Sequence, residues 1–338
     1  MADNSAGMSE DNGRADDNDW NGGDALAGRA TQIPVGEATG FMSVSPVAVP
    51  SLGRAAPLNV RVTAPLEGSG LPLVVLSHGG GFTNYLSSFR GFSPIVEFWA
   101  AHGFVVVQPT HLSSRSLGVP PLAPDSRSYW QARVDDVTRV LDELDLIEAA
   151  VPGLAGRIDR GRIAVAGHSM GGHTASMLLG AHVVDDGAIV RVADDRVKAG
   201  VLFAPTGAGG SHLTELAQRF TALRTAHFEQ MTPPVLTVVG DRDDSAELSS
   251  RGPAYHADAY ATSPGPKALL TLHGAEHMLG GITGYDASET TDENPERVAA
   301  IQRLTWAYLH TALVGGDAWD RARGGFAHLE DLGRIESK

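Results

Sequence analysis

The chain has 338 residues, of which 42% are hydrophobic and 20% charged, a formal net charge of −14 and no cysteine. This length and apolar content are enough to bury the core of one large α/β domain or two small ones. The negative charge argues against nucleic-acid binding and against docking on anionic membranes, because both need a basic surface. The absence of cysteine excludes disulfides, a thiolate nucleophile and cysteine-ligated zinc.

The start of the chain is acidic and poor in apolar residues. Residues 1–24 contain seven acidic residues and one arginine, and such a segment buries too little apolar surface to offset the entropy lost on ordering. We therefore expect residues 1–34 to form a disordered acidic tail, with docking of Trp20 onto the body as the alternative. No secretory signal and no apolar run of transmembrane length is visible, so we expect a cytoplasmic protein without membrane insertion.

The remaining residues, 35–338, are predicted to form one domain. From about residue 40, short β-rich runs alternate with longer helical runs, which indicates an α/β fold with a mostly parallel eight-stranded sheet and helices on both faces. Continuous apolar runs such as LVVL and FVVV are typical of strands buried on both faces. Strands are predicted at residues 41–49, 58–63, 73–76, 104–107, 162–166, 201–203, 235–239 and 268–272. Helices are predicted at residues 92–102, 128–149, 174–179, 211–229 and 296–313.

The stretch GHSMG at residues 167–171 matches the pattern G-x-S-x-G. This pattern places a serine on a sharp turn between a strand and a helix, where its hydroxyl is exposed. A buried strand is predicted before Ser169 and a helix after it, as the pattern requires. Gly167 and Gly171 allow the strand and the helix to pack closely. The context predicts that Ser169 is a nucleophile.

A serine nucleophile needs a base and an acid that orients the base. After the strand at residues 235–239 we prefer Asp243 as the acid, with Asp241 as the second choice. After the last strand we favour His277 as the base over His273, because His277 lies further into the loop. A metal site formed by the two histidines is disfavoured, since it needs a helix to bring both rings to one face.

Glycines follow the third predicted strand, in the run SHGGGF. They allow backbone N–H groups to approach a reacting carbonyl closely. We expect the oxyanion donors to be Gly80, Gly81 and Met170, the residue after the nucleophile. The run matches neither nucleotide-binding glycine pattern. No cofactor and no metal are predicted.

The residues around this loop are candidates for binding substrate. Phe82 and Tyr85 follow the glycines, and His168 precedes the nucleophile, so these three are predicted to contact substrate. Residues 207–232 lie between two strands and are candidates for a small cap over the site. The alternative is that they are ordinary core and connecting residues.

Together, the motifs SHGGGF, GHSMGG, GDRD and GAEH resemble those of the α/β-hydrolase superfamily. Over about residues 40–315 the chain is similar to a bacterial branch related to chlorophyllases, platelet-activating-factor acetylhydrolases and dienelactone-hydrolase-like esterases. This resemblance implies the α/β-hydrolase fold and a triad of Ser169, His277 and Asp243, with the N–H of Gly80 as one oxyanion donor. Chlorophyllases differ in carrying arginine at the position of Met170, and dienelactone hydrolases proper carry cysteine in place of the serine.

The expected function is that of a serine hydrolase that cleaves a small-molecule carboxylic ester through an acyl-enzyme. Two alternatives remain open. One is an amidase or thioesterase that uses the same triad, because the same groups serve all acyl transfers. The other is a non-catalytic protein of this fold that binds a ligand or partner. The sequence makes no prediction of the oligomeric state.

Overall fold

The computed structural model describes residues 26–81, 83–120, 127–284 and 287–338. Its strands are β1 (Phe41–Val49), β2 (Leu58–Pro65), β3 (Leu71–Ser77), β4 (Val105–Pro109), β5 (Ile158–His168), β6 (His182–Asp185), β7 (Ala188–Arg191), β8 (Val197–Phe203), β9 (Ala226–His227), β10 (Val235–Gly240), β11 (Lys267–Leu272) and β12 (Gly333–Ser337). Its α-helices are α1 (Ser93–Ala101), α2 (Arg127–Asp142), α3 (Leu144–Ala150), α4 (Met170–Leu178), α5 (Glu215–Gln218), α6 (Thr221–Arg224), α7 (Asp258–Thr262), α8 (Pro295–Leu313) and α9 (Ala318–Phe326). None of the helices within these ranges is both long and apolar enough to cross a membrane.

The main sheet has nine strands in the order β1-β2-β4-β3-β5-β8-β10-β11-β12. The six strands from β4 to β11 are parallel to their neighbours, whereas β1, β2 and β12 pair antiparallel at the two edges. All eight predicted strands are present, and the predicted α/β fold is confirmed. The carboxyl ends of the parallel strands meet at one edge of the sheet, and loops at that edge carry the candidate site.

The ninth strand of the sheet, β12, was not predicted. Its sequence GRIES carries charged residues, and most of its side chains are exposed at the sheet edge. It forms because its backbone pairs with β11, from Leu272 opposite Gly333 to Ala268 opposite Ser337. This pairing depends on main-chain hydrogen bonds, so it leaves little trace in a hydrophobic pattern.

The apolar core covers both faces of the main sheet. Val74 and Leu76 of β3 belong to one cluster, which includes Trp99 of α1. Leu73 and Val75 belong to the other cluster, together with the apolar face of α2. Successive side chains of a strand point to opposite faces, so a strand with helices on both sides needs apolar residues at every position. This explains the run LVVL.

A second sheet of three strands has the order β7-β6-β9. It accounts for one wrong prediction, because residues 211–229 form the short helices α5 and α6 and then β9 instead of one helix. The two residues of β9 pair antiparallel with β6. Such a pairing between distant segments has no local sequence signal. The predicted helix at residues 128–149 is also interrupted, at Glu143.

Residues 26–34 belong to the folded body. Ala30 and Ile33 are fully buried in the core cluster that contains α8. Arg29 forms an ion pair of 3.0 Å with Glu296 at the start of α8. The predicted tail boundary at residue 34 therefore lies too far along the chain, because this short apolar segment packs against a helix from the other end of the sequence. The rest of the predicted tail, including Trp20, lies outside the described residues.

The segment after residue 315 packs on the body, as expected. Phe326 and Leu329 are buried. The ring of Trp319 meets the ring of Tyr308 edge-on, with 5.1 Å between the ring centroids. The segment covers α8 and then supplies β12, so it completes one edge of the main sheet.

Candidate active site

The turn around Ser169 is held by glycines. Ser169 lies between β5 and α4 with φ 54° and ψ −119°, a conformation that costs a non-glycine residue strain. A Cβ atom on Gly167 would overlap the backbone of Gly171, and a Cβ on Gly171 would overlap the carbonyl oxygen of Ser77. Only glycine at both positions lets the strand end, the helix and the neighbouring strand approach this closely.

His277 and Asp243 are hydrogen-bonded to each other. Asp243 follows β10 and His277 follows β11, so two adjacent strands bring them together. The Nδ1 atom of His277 lies 2.7 Å from Oδ2 of Asp243. The aspartate is buried, whereas 27% of the histidine side chain is exposed. This bond orients the ring and leaves Nε2 as the nitrogen available for proton transfer.

A second histidine, His256, lies against the same carboxylate. Its Nε2 is 3.2 Å from Oδ1 of Asp243, an ion-pair distance rather than a well-aligned hydrogen bond. Ser245 donates a hydrogen bond of 2.7 Å to the same oxygen. Burial alone would raise the pKa of Asp243, but the interactions with His256 and His277 outweigh it and hold this pKa well below its usual range. His256 lies in a short 3₁₀ helix, Gly252–Ala257, that carries no recognisable motif, and sequence reasoning missed it.

The second choices for acid and base form a separate pair at the surface. His273 Nδ1 lies 2.9 Å from Oδ2 of Asp241, and both side chains are more than one-third exposed. The N–H of Gly274 donates to the other oxygen of this carboxylate at 2.7 Å. Neither side chain lines the cavity at Ser169. The arrangement stabilises the turn after β11 and leaves Asp243 and His277 as the pair at the cavity.

Ser169 and His277 line one cavity of about 520 Å³. Three predicted oxyanion donors, Gly80, Gly81 and Met170, also line it. The segment 207–232 contributes two apolar side chains. The lining residues are Gly80, Gly81, Leu86, Ser169, Met170, Phe220, Leu223, Glu247, Leu248, His277, Met278, Ser288, Glu289 and Thr291.

The predicted substrate contacts are placed differently. Tyr85 is 41% exposed and lines another groove, of about 590 Å³, which holds none of the predicted catalytic residues. The next residue in the chain, Leu86, lines the cavity at Ser169 instead. His168, the last residue of β5, is completely buried and does not line the cavity. Phe82 lies outside the described residues.

His168 contacts His277 rather than the cavity. Its Nε2 donates a hydrogen bond of 2.9 Å to the carbonyl oxygen of His277, and the two ring centroids are 4.8 Å apart. Burial, followed by the proximity of His277, lowers the pKa of His168 to about 3. The ring is therefore neutral at ordinary pH and holds the loop of His277 in place.

A second series of hydrogen-bonded serine, histidine and aspartate side chains lies at the end of β3, next to the glycine loop. His111 Nε2 is 2.8 Å from Oγ of Ser77, and its Nδ1 is 2.9 Å from Oδ2 of Asp136. Arg133, also buried, donates to the backbone carbonyl of His78. All of these side chains are buried, and the serine lines none of the cavities described above. This network therefore holds the end of β3 and the start of the glycine loop rather than reaching substrate.

Among the residues that the structure describes, two side-chain groups have the composition of a metal site. Asp243, His256 and His277 bring ligand-type atoms within 4.8 Å of one another, and so do His182, His227 and Glu229 on the small sheet. In the first group the hydrogen bond between Asp243 and His277 already uses one ligand atom of each. The second group lies away from the cavity at Ser169.

The described lining of the cavity includes two acidic side chains. Glu247 and Glu289 line it, and no lysine or arginine does so in the described ranges. Oε1 of Glu289 accepts hydrogen bonds from the N–H and hydroxyl of Thr83, at 3.0 and 2.6 Å. Its Oε2 has no partner among the described residues. The remaining lining is mainly apolar, from Leu86, Phe220 and neighbouring side chains.

Comparison with protein families agrees with this architecture. The model of the alpha/beta hydrolase family matches residues 74–333, which is 260 of the 338 residues. The match begins inside β3 and ends at the start of β12, so it includes every residue of the triad candidate. A search of curated proteins gives no match. The chain belongs to the alpha/beta hydrolase family.

Proposed function

We propose that the protein is a serine hydrolase that cleaves carboxylic esters through an acyl-enzyme. The observation that carries this proposal is the convergence of Ser169 and His277 on one cavity, with His277 hydrogen-bonded to the buried Asp243 at 2.7 Å. A nucleophile on a strained turn, a base and an orienting acid are the groups that acyl transfer requires. The narrower relationship to the chlorophyllase and platelet-activating-factor acetylhydrolase branch belongs to the same proposal.

In the first step, His277 takes the hydroxyl proton of Ser169 as its Oγ forms a bond to the ester carbonyl carbon. The N–H groups of Gly80 and Met170 stabilise the resulting oxyanion. The bond to the alcohol then breaks, and the leaving oxygen receives the proton from His277. A water molecule gives its proton to His277 and attacks the acyl carbon, which releases the acid and returns the proton to Ser169.

Asp243 has two roles in this sequence. It accepts a hydrogen bond from the Nδ1–H group of His277 and so selects the tautomer whose Nε2 is a base. Its carboxylate also stabilises the positive charge that His277 carries after the first proton transfer. Burial strengthens both effects, because the local dielectric constant is lower than that of water.

Residues 207–232 act as a small cap in this proposal. Phe220 and Leu223 from this segment line the same cavity as Gly80 and Gly81 of the glycine loop. Together with Leu86 and Met278 they present an apolar surface suited to an acyl chain. Such a cap excludes water from the oxyanion and restricts the size of the acyl group.

The test is hydrolysis of p-nitrophenyl esters of increasing chain length by the wild type and by Ser169→Ala. The variant is expected to lose kcat by on the order of 10⁴ or more. Ser77→Ala removes the serine of the buried second series and is the matched control. It should still react covalently with a fluorophosphonate probe, whereas Ser169→Ala should not.

Three results separate the alternatives. Near-normal ester hydrolysis by Ser169→Ala would overturn the assignment of the nucleophile. Failure of the wild type to react with the probe or with any substrate would favour a non-catalytic binding protein. Faster turnover of matched amides or thioesters than of esters would keep the triad and change the substrate class.

A further inference from the structure

The small sheet carries a cluster of metal-ligating side chains away from the candidate active site. His182 of β6 lies directly opposite His227 of β9 in the antiparallel pair. Their rings stack with 5.1 Å between centroids and 16° between planes. Glu229 follows two residues after His227, and its Oε1 is 3.8 Å from Nδ1 of that histidine. One ligand atom from each of the three residues lies within 4.8 Å of the others.

The buried member of this cluster lacks a hydrogen-bond partner. His182 is 9% exposed, and its Nδ1 has no partner among the residues that the structure describes. A buried ring nitrogen without a partner is unfavourable, because it has lost water and gained nothing in exchange. A bound cation would satisfy it.

A cationic residue is paired with His182 in the small sheet. Arg191 of β7 lies opposite His182, and its positive charge is unfavourable for a cation bound there. Its side chain is exposed, so it is free to move toward solvent.

We propose that His182, His227 and Glu229 form a binding site for a divalent transition metal of the zinc type. Two imidazoles and one carboxylate are a ligand set that zinc accepts, with water in the fourth position. Tetrahedral zinc with bonds near 2.1 Å places its ligand atoms roughly 3.4 Å apart. The rings of His182 and His227 stack nearly parallel, so one ring has to turn before both nitrogens can point at one ion. His227 and Glu229 are 45% and 58% exposed, so these two side chains have room to reorient.

The site would connect two segments that the fold brings together. β6 and β7 form a hairpin after α4, whereas β9 lies near the end of the segment at residues 207–232. Helix α6, which ends two residues before β9, carries Leu223 into the cavity at Ser169. A metal bound by His182 and His227 would therefore attach the end of this segment to the hairpin of β6 and β7. Its effect would be on the stability of the segment, and the site takes no part in acyl transfer.

The test uses the full chain and zinc alone. Zinc binding is measured by isothermal titration calorimetry after removal of metals with a chelator, and the melting temperature is measured with and without zinc. We expect one zinc ion with micromolar or better affinity and a higher melting temperature in zinc. His227→Asn and Glu229→Gln change exposed side chains, so both variants should fold. Each should weaken zinc binding at least tenfold and abolish the rise in melting temperature.

Two controls make the outcome decisive. His328→Asn replaces an exposed histidine elsewhere and should leave zinc binding unchanged. His277→Asn removes a ligand of the other candidate cluster. Binding that is lost in His277→Asn and retained in His227→Asn would overturn the proposal, as would absence of binding at 100-fold excess zinc over protein. Since the readout is metal binding, the result does not depend on whether the protein hydrolyses esters.

Discussion

The Nε2 atom of His256 lies 3.2 Å from Oδ1 of Asp243, the carboxylate oxygen that His277 does not use. The Nδ1 atom of His256 is 2.7 Å from the carbonyl oxygen of Pro205. A carbonyl oxygen can only accept, so this nitrogen carries a proton. The two ring nitrogens of His256 therefore face two different oxygen atoms, one of the backbone and one of the carboxylate. Asp243 is shared between two histidines, of which only His277 reaches the cavity.

This sharing predicts a role for His256 in positioning Asp243. His256→Gln removes the imidazole ring and leaves an amide of similar reach beside the carboxylate. We expect kcat/KM to fall about tenfold, because Asp243 loses a contact that fixes its orientation and therefore positions His277 less precisely. The loss should appear in kcat with KM unchanged, because Asp243 acts on His277 and does not line the cavity. A fall in kcat/KM that comes from a raised KM, with kcat unchanged, would contradict this positioning role.

The glycines of the site differ in what a side chain would meet. A Cβ on Gly171 would overlap the carbonyl oxygen of Ser77, whereas a Cβ on Gly80 would meet nothing within 4 Å. Gly171→Ala should therefore destabilise the fold by several kcal/mol, roughly 3 or more, because the backbone has to move. Gly80→Ala is the matched control and should keep the wild-type free energy of unfolding. Urea denaturation of both variants checks this, and equal stability of the two would contradict the proposed close packing at the turn.

The carboxylates of the cavity predict a preference for the charge of the substrate. Glu247 and Glu289 face the cavity without a lysine or arginine in the described lining. Esters with a cationic group should therefore have a higher kcat/KM than matched anionic esters, by about tenfold at low salt, and less at high salt. Glu247→Gln should reduce this ratio, since Glu247 is exposed and can be changed without breaking a structural bond. Glu336→Gln, on β12, removes the same charge far from the cavity and should leave the ratio unchanged.

Buried histidines predict loss of stability in mild acid. Burial lowers the pKa of His168 to about 3 and that of His173 to about 4. In the unfolded chain these rings take up protons below about pH 6.5, while in the folded protein they stay neutral. The free energy of unfolding should therefore fall between pH 7 and pH 5, by about 2 kcal/mol for each of the two histidines. Urea denaturation at both pH values measures the loss.

One substitution isolates the contribution of a single ring. His173→Gln removes a titrating group and keeps a side chain of similar length. The difference in unfolding free energy between pH 7 and pH 5 should shrink by about 2 kcal/mol in this variant. Substitution of the exposed His328 by asparagine is the control. An unchanged pH dependence in His173→Gln would show that His173 is protonated in the folded protein as readily as in the unfolded chain.

Local patterns predicted the framework of the protein. The runs LVVL and FVVV specified buried strands because each strand of a parallel sheet needs apolar side chains on both faces. The spacing of Gly167, Ser169 and Gly171 specified the sharp turn, since larger residues cannot pack there. The order of Asp243 and His277 after the last two parallel strands could also be predicted, because the ends of such strands meet at one edge of the sheet.

Only the tertiary structure decided which side chains meet across long distances in the chain. The contact of His256 with Asp243, the placement of Tyr85 in another groove and the burial of His168 have no local signal. The same holds for β12, for β9 opposite His182, and for the packing of residues 26–34 on α8. Each of these depends on backbone pairing or on the direction of one side chain. Hydrophobic periodicity records which face of a segment is buried, and it contains no information on which distant segment covers that face.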